Sequence, residues 1–176
     1  VTANHKLPEV QEAGFLYLLI AHVGAIGILL CFGVLQANSG DYTFANMRTQ
    51  SLSPFWASTA FILALFGFGA KAGMLPLHVW LPEAHPAAPS PVSALMSGIM
   101  LKTAIYGLLR ISFALLHVNV WWWGGLLLAL GLATALFGVV FATVQTDMKR
   151  LLAYSSIENI GLLLAGIGLA LIFHAY

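Results

Sequence analysis

Long apolar stretches separated by short polar segments dominate the sequence. Five of them reach the roughly 20 residues that a helix needs to cross a bilayer. We expect transmembrane helices at about 13–35, 54–81, 91–117, 121–144 and 151–174. The chain shows neither the period-two alternation of a strand nor a heptad repeat. The pattern therefore predicts an all-α, polytopic membrane helix bundle that forms a single transmembrane domain over residues 1–176.

The second predicted helix contains Pro76 in its interior. Proline removes one helical hydrogen bond and kinks or breaks the helix. Three glycines precede it, namely Gly67, Gly69 and Gly73. We therefore expect this helix to be discontinuous near Pro76, close to Lys71. Broken helices at membrane depth are tolerated where they border a cavity or a binding site.

The composition supports a membrane environment and excludes several classes of function. The chain is 60% hydrophobic and 7% charged, whereas a soluble domain carries roughly 25% charged residues. The lipid bilayer or other apolar protein must therefore surround it. A net charge of +1 argues against a nucleic-acid partner. Cys31 alone cannot form an internal disulfide, and the six histidines are scattered, so we expect no cofactor, metal site or redox centre.

The basic residues suggest an orientation. Lys6 and the Lys149–Arg150 loop lie on one side of the predicted membrane, with Arg48 on the other and Arg110 nearer to it. Positive residues are enriched on the cytoplasmic side of membrane proteins. We therefore expect a multi-pass protein of a bacterial inner membrane, with the N-terminal end and the Lys149–Arg150 loop in the cytoplasm.

Lys71 and Lys102 are the main candidates for chemistry. Counted at about 1.5 Å per residue from the helix starts, both lie near the middle of the bilayer. A lysine at that depth costs a few kcal/mol unless it is paired or hydrated, and burial disfavours the charged form of a lysine. Such a side chain can gain and lose a proton as its neighbours change. The alternative is a lysine that extends to the interface, for which the side chain is too short at mid-membrane.

Other polar side chains could join these lysines. Glu158 lies inside the fifth helix and could partner a lysine, or it could only hold two helices together. His78 follows Lys71 by seven residues and shares its face if the helix is continuous. It could transfer protons or simply tie down the broken helix. Glu83 and His85 fall in the predicted loop 82–91, where we expect them at the membrane interface. Candidates for supporting roles are His22, Asn159, Ser155 and Glu83.

The fourth predicted helix carries a stripe of small residues. Its members are Gly131, Ala135, Gly138 and Ala142, which share one helical face. Such stripes let two membrane helices approach closely. We therefore expect a packing surface here, with no binding role.

Two segments resemble a known family. The segment Gly67 to Arg110, GFGAKAGMLPLHVWLPEAHPAAPSPVSALMSGIMLKTAIYGLLR, is similar to the signature region of the antiporter-like membrane subunits. These subunits occur in respiratory complex I, Mrp-type sodium/proton antiporters and membrane-bound hydrogenases. The segment Asp147 to Gly161, DMKRLLAYSSIENIG, is similar to a second motif of the same family. The Glu158–Asn159 pair and the run HPAAPSPVSALMSG most resemble the branch of hydrogenase-4 component B and formate hydrogenlyase subunit 3, whereas complex I relatives often have Ser-His in place of that pair.

The resemblance implies roles for the two lysines. Lys71 matches the family's lysine on a broken helix, which pairs with a glutamate from an earlier helix. Lys102 matches the central lysine of the next helix. The partner glutamate would lie before Val1 and the terminal relay residue beyond Tyr176, so we expect this chain to be an internal fragment of a longer subunit.

The resemblance also implies a function. It is proton translocation through a membrane subunit of a redox-driven complex, of the hydrogenase, formate hydrogenlyase or complex I type, by way of buried lysines and water. The expected partners are other membrane subunits, which would carry the redox chemistry. Two alternatives remain at this point. One is a subunit of an Mrp-type cation/proton antiporter that handles sodium as well as protons, and the other is a membrane scaffold with structural lysines.

Overall fold

The computed structural model describes residues 6–49, 51–116 and 120–175, and all regular elements within them are helical. They are α1 Pro8–Ser39, α2 Phe44–Arg48, α3 Pro54–Ala72, α4 Trp80–Ala87, α5 Ser90–Leu95, α6 Leu101–Leu109, α7 Trp121–Val144 and α8 Met148–Ala175, with π-helical turns at Met96–Met100 and Arg110–Leu115. Five helices in this part of the chain are long and apolar enough to cross a membrane. The predicted all-α membrane bundle is confirmed.

The helix boundaries follow local chemistry that the apolar pattern does not show. Pro8 and Pro54 occupy the first turns of α1 and α3, where a missing N–H costs nothing. α1 starts five residues earlier than predicted, and α8 starts at Met148 after Asp147, whose carboxylate accepts a hydrogen bond from the Lys149 amide at 2.8 Å. The third membrane helix is described as far as Leu115. Its predicted end at residue 117 lies outside the described residues.

The second membrane helix is broken, as Pro76 predicts. α3 ends at Ala72, and Gly73 follows with a φ of 77°, a left-handed conformation that glycine adopts without strain. Helical structure returns only at Trp80. The prediction of a discontinuity is confirmed, because seven residues in the last third of the predicted span 54–81 are not helical.

The predicted loop 82–91 is largely helical. α4 runs through it to Ala87, so the placement of Glu83 and His85 in a loop is wrong. Pro82 is tolerated because it occupies the third position of α4, where no intrahelical partner for an N–H is needed. Glu83 is exposed, as expected of an interfacial residue, but His85 is only 2% exposed.

Close backbone packing joins the helices in pairs. A Cβ atom added to Gly138 of α7 would lie 2.6 Å from the Glu158 amide nitrogen of α8. A Cβ atom on Gly131 would lie 2.5 Å from the Ala165 nitrogen. The predicted packing stripe on this helix is confirmed at both glycines. α1 and α3 approach each other in the same way at Gly67. Helices without a hydrophobic driving force between them gain stability from such contacts.

Candidate functional site around two lysines

Lys71 lies at the C-terminal end of α3, directly before the helix break. A positive charge at this end is favoured because the last carbonyls of a helix carry partial negative charge. The Lys71 Nζ atom lies 5.5 Å from the centre of the Tyr17 ring on α1. This separation is within the range of a cation–π interaction. The side chain is partly exposed, and its ammonium group has an aromatic face as its neighbour.

Trp80 connects this arrangement to α4. Its indole N–H donates a hydrogen bond to the Ala70 carbonyl at 3.0 Å, in the last turn of α3. Its ring also packs against Tyr17, with ring centres 5.3 Å apart. The two halves of the broken helix and α1 therefore meet beside Lys71.

Lys71 opens onto a mainly apolar cavity of about 340 Å³. The cavity lies between α1, α3 and the third membrane helix, which contributes Met100 and two residues of α6. Its other lining residues are Ala21, Ala25, Ile28, Phe68, Met100, Thr103 and Ala104. Lys71 is the one ionisable side chain among these residues.

Lys102 lies on α6, close to the π-helical turn Met96–Met100. It is exposed on the surface of the described bundle, so these helices alone do not bury Lys102, and its predicted place near the middle of the bilayer stays a prediction. Its side chain lines a cavity of about 590 Å³ between α6 and α8. The polar lining residues besides the lysine are Ser97, Ser156 and Asn159.

The α8 wall of this cavity is formed by Asn159 and Ser156. The Asn159 amide donates to the Ser155 carbonyl at 2.8 Å, and the Ser156 hydroxyl donates to the Leu152 carbonyl at 2.9 Å. Both side chains therefore keep an acceptor oxygen that can meet water in the cavity. Ser155 does not line the cavity, and its carbonyl accepts the hydrogen bond from Asn159.

Glu158 and Lys102 are not brought together. Glu158 is half-buried, its backbone lies against Gly138 of α7, and it does not line the Lys102 cavity. No ion pair joins the two residues in the described part of the chain. The neighbouring residue Asn159 occupies the place beside Lys102 that the sequence suggests for Glu158.

Neither candidate histidine lines the cavity of a lysine. His78 falls in the break between α3 and α4, so it does not share a continuous helical face with Lys71. Its ring packs edge-on against Phe137 at 4.5 Å, and its Nδ1 atom is buried without a hydrogen-bond partner among the described residues. His22 is exposed on α1, where its Nδ1 lies 2.7 Å from the Leu18 carbonyl of its own helix.

The α4 helix is attached to the start of α8 through Glu83 in its first turn and Ala88 after its last turn. Arg150 pairs with the Glu83 carboxylate at 3.0 Å, and Lys149 donates to the Ala88 carbonyl at 2.9 Å. His85 Nδ1 lies 2.5 Å from the Ser93 hydroxyl, while its Nε2 is buried without a partner among the described residues. Burial and, secondarily, the Lys149 charge lower the pKa of His85 below its ordinary value. The first turn of α8 therefore holds α4.

Sequence reasoning missed several residues around the lysines. Ser156 had a usable signal, because it precedes Asn159 by three residues and so shares its face. Tyr17 and Trp80 had none, because many aromatic residues occur in the apolar stretches and only tertiary packing selects these two. Across residues 6–49, 51–116 and 120–175, no three His, Cys, Asp or Glu side chains are grouped so that they could hold a metal ion.

Two known proteins are similar in sequence to most of this chain. The chain is 52% identical to hydrogenase-4 component B of Escherichia coli over 92% of its own length, which is 24% of that protein. It is 38% identical to formate hydrogenlyase subunit 3 of the same organism, over 90% of this chain and 26% of that protein. The chain thus spans about a quarter of the length of these relatives.

Two solved structures share the fold. The membrane-bound sulfane sulfur reductase, an archaeal respiratory membrane complex, matches 99% of this chain and 39% of its own chain, with a TM-score of 0.84 and 27% identity. The Mrp complex from Dietzia sp. matches 93% of this chain and 32% of its own, with a TM-score of 0.81 and 26% identity.

The family model for the transmembrane part of NADH:quinone oxidoreductase and Mrp antiporter subunits matches residues 1–175. Nearly the whole chain is covered by this match, and the described helices have the fold of the two structures above. The predicted relationship to antiporter-like subunits is confirmed, and the chain belongs to the NADH:quinone oxidoreductase/Mrp antiporter transmembrane family.

Proposed function

We propose that this chain forms part of a proton-translocating path in a membrane subunit of a redox-driven complex. The observation that carries the proposal is the pair of lysines on the packed helices α3 and α6, each of which lines its own cavity. The relatives named after hydrogenase and formate hydrogenlyase support the redox-driven setting. In this proposal Lys71 and Lys102 receive and release protons in turn.

The chemistry of the two cavities suits such a transfer. A lysine exchanges a proton readily when its ammonium form is only partly stabilised by its surroundings. The Lys102 cavity of about 590 Å³ has room for several waters, and Ser156 and Asn159 offer oxygens that would order them. Glu158 and His78 line neither lysine cavity. They stay predictions, and the two-lysine path proposed here gives them a secondary part.

Replacement of each lysine by arginine tests the proposal. Arginine keeps the positive charge but cannot release its proton in a protein. We expect K71R and K102R, in the complete subunit within its membrane complex, to lower proton flux into liposomes by about tenfold or more. The measurement is the quenching of a pH-sensitive dye while the redox reaction runs. K6R at an exposed position is the control and leaves flux unchanged.

The scaffold alternative makes the opposite prediction. If the lysines only stabilise the bundle, K71R and K102R pump normally because a fixed cation is still present. Normal flux in both variants, together with normal assembly on a native gel, would therefore refute a relay.

The likeness to the Dietzia Mrp complex favours a second candidate, a cation/proton antiporter subunit. Proton flux in sodium-free medium separates the two functions. A redox-driven proton path keeps its flux without sodium, whereas an antiporter loses it and regains it when sodium is added on the opposite side of the membrane.

We further propose other membrane subunits as partners and a bacterial inner membrane as the location. The N-terminal end and the Lys149–Arg150 loop are proposed to face the cytoplasm, because basic residues accumulate there. A cysteine placed at Thr146, in the α7–α8 loop, should react with a membrane-impermeant maleimide only in inside-out vesicles. Labelling in intact cells would reverse the proposed orientation.

A further inference from the structure

We propose that His85 and Ser93 form a proton port, a relay that connects the membrane face at the start of α8 with the Lys102 cavity. The relay continues through Ser97, which lines that cavity. This inference rests on the proposed function, since it assigns further residues to the path that contains Lys102. The port gives the cavity a route for proton exchange with the aqueous phase.

Three segments meet where the port begins. His85 lies in the last turn of α4, Ser93 in the first turn of α5, and Lys149 in the first turn of α8. The Lys149 ammonium group donates to the Ala88 carbonyl, between α4 and α5, at 2.9 Å. The third membrane helix and α8 therefore both start at this junction, and both run from it along the walls of the Lys102 cavity.

The two ring nitrogens of His85 are suited to opposite ends of a transfer. Nδ1 lies 2.5 Å from the Ser93 hydroxyl oxygen. Nε2 is buried, in a residue that is 2% exposed, and has no hydrogen-bond partner among the described residues. A buried polar atom is normally hydrogen-bonded to a polar group or to an ordered water. Nε2 is therefore the side on which the imidazole takes up a proton, and Nδ1 is the side that passes one to Ser93.

The aqueous side of the port is charged. Arg150 pairs with Glu83 at 3.0 Å, and both side chains are nearly half exposed. Burial and, secondarily, the Lys149 charge lower the pKa of His85 below its ordinary value. The imidazole is therefore neutral at neutral pH and does not retain a proton that it receives. A group of this kind passes a proton on, whereas a strong base would hold it.

Ser93 and Ser97 lead from His85 into the cavity. They are four residues apart, so they are neighbours on one helical face. The Ser97 hydroxyl lies 3.4 Å from the Ser93 carbonyl, to which it donates. Ser97 and, on α8, Ser156 are the cavity residues closest to the starts of their helices. Both hydroxyls therefore lie at the end of the cavity that faces the port.

The transfer leaves no net charge on the relay. In the tautomer with hydrogen on Nδ1, a proton from water forms a new bond to Nε2 of His85. The Nδ1–H bond breaks, and its proton passes to the Ser93 oxygen. Ser93 releases its own hydroxyl proton to water in the cavity beside Ser97. Rotation of the neutral ring then restores the starting tautomer.

Chemical rescue tests the role of His85 in the complete subunit within its membrane complex. H85A removes the imidazole, and we expect it to lower redox-driven proton flux into liposomes by about tenfold. Imidazole added to the medium should restore at least about a third of the wild-type flux, because general acid–base transfer needs only a base in that place. Pyrazole has nearly the same shape but is a much weaker base, so it should restore little. Equal rescue by both compounds would show that His85 only fills space, and would overturn the port.

The serine link is tested by a second series, which also decides the question if neither compound enters the site. S93A removes the hydroxyl and should lower flux by about tenfold, whereas S93T keeps the hydroxyl and should retain most of it. S90A changes an exposed serine in the same turn and is the matched control. Imidazole should not rescue the double variant of H85A and S93A. Wild-type flux in S93A complexes that assemble normally on a native gel would overturn the port.

The K102R variant separates the port from the proposed function. If K102R abolishes flux while H85A and S93A pump normally, the port is overturned and the lysine path stands. If K102R pumps normally, Lys102 is not on the path, and the proposed function fails together with the port. Loss of flux in all three variants, with S93T active and H85A rescued by imidazole in preference to pyrazole, supports both.

Discussion

The two lysines of this bundle differ in what surrounds them. Lys71 ends a helix at a break, has an aromatic ring 5.5 Å from its Nζ atom, and opens onto a small apolar cavity. Lys102 lies within an unbroken helix, is exposed, and lines a larger cavity with serine and asparagine side chains. Both lie on helices that pack against each other.

The two cavities differ in how well they can hold water beside the lysine. An apolar cavity offers few polar groups that could hold water beside a lysine. A polar cavity supports exchange with water instead. The Lys102 cavity is therefore better suited to hold water than the Lys71 cavity. Variants that disturb one cavity and spare the other can test this contrast.

The largest effect is expected where α8 packs on α7, because this contact places the wall of the Lys102 cavity. A Cβ atom on Gly161 would overlap the Ala135 backbone of α7. G161L should therefore push the helices apart and cost roughly 3 kcal/mol or more. We expect a clear fall in the thermal unfolding midpoint and loss of proton flux. G166L, on the same helix with open space around the glycine, is the matched control. Equal stability of the two variants would contradict the packing described here.

A smaller effect is expected at the Lys71 cavity. A Cβ atom on Gly107 would overlap the ring of Phe68, which lines that cavity. G107L should displace the ring at a cost of about 1–3 kcal/mol and lower flux while the subunit still assembles. G125L, where the added side chain meets open space, should behave like wild type. If G107L assembles with the leucine in place and the proton flux is unchanged, the contrast between the two cavities is wrong.

The sequence predicted the helices better than it predicted the site. Spans of about 20 apolar residues are a strong signal, because the bilayer imposes that length. The break at Pro76 was also predictable, since proline disturbs a helix wherever it stands in the interior. The helical character of α4 was not, because Pro82 and Pro86 normally indicate a loop and the contacts of Trp80 and Glu83 with other helices are tertiary.

Side-chain neighbours were the least predictable feature. Glu158 and Asn159 point to different neighbours although they adjoin in sequence, because successive residues of a helix are turned by about 100°. Which of the two faces α6 depends on how the glycines of α7 and α8 meet, and the sequence alone does not give that rotation. The same holds for Tyr17, whose distance from Lys71 is set by the packing of α1 on α3.

Variants of Asn159 and Glu158 test which of these two residues supports Lys102. N159L removes a polar group from its wall and should lower proton flux by about fivefold through poorer hydration of Lys102. E158Q changes a residue outside the lining and should alter flux by less than about twofold. The readout is dye quenching in liposomes that contain the complete complex. The reverse order would restore Glu158 as the relay partner and remove Asn159 from it.

The smallest effect on stability is expected where α8 contacts α4. Lys149 at the start of α8 donates to the Ala88 carbonyl, and Arg150 pairs with Glu83. Burial and the Lys149 charge lower the pKa of His85 below its ordinary value of 6.5. As pH falls below that value, the unfolded chain takes up a proton at His85 before the folded chain does. The folded state therefore has its full stability above about pH 6.5 and loses stability as the pH falls below it.

Removal of His85 should cancel this share of the acid sensitivity. We expect the thermal unfolding midpoint of the complete subunit to fall less between pH 7.5 and pH 5.5 in H85Q than in wild type. K149M should also reduce the fall, because it removes one of the two causes, but it gives up the hydrogen bond to the Ala88 carbonyl and lowers the midpoint at both pH values. H22Q, at an exposed histidine of α1, should retain the wild-type difference. The pH dependence of the unfolding midpoint could instead be unchanged in H85Q. Protonation of His85 would then not destabilise the folded state, and the contact between α4 and α8 would not require a neutral imidazole.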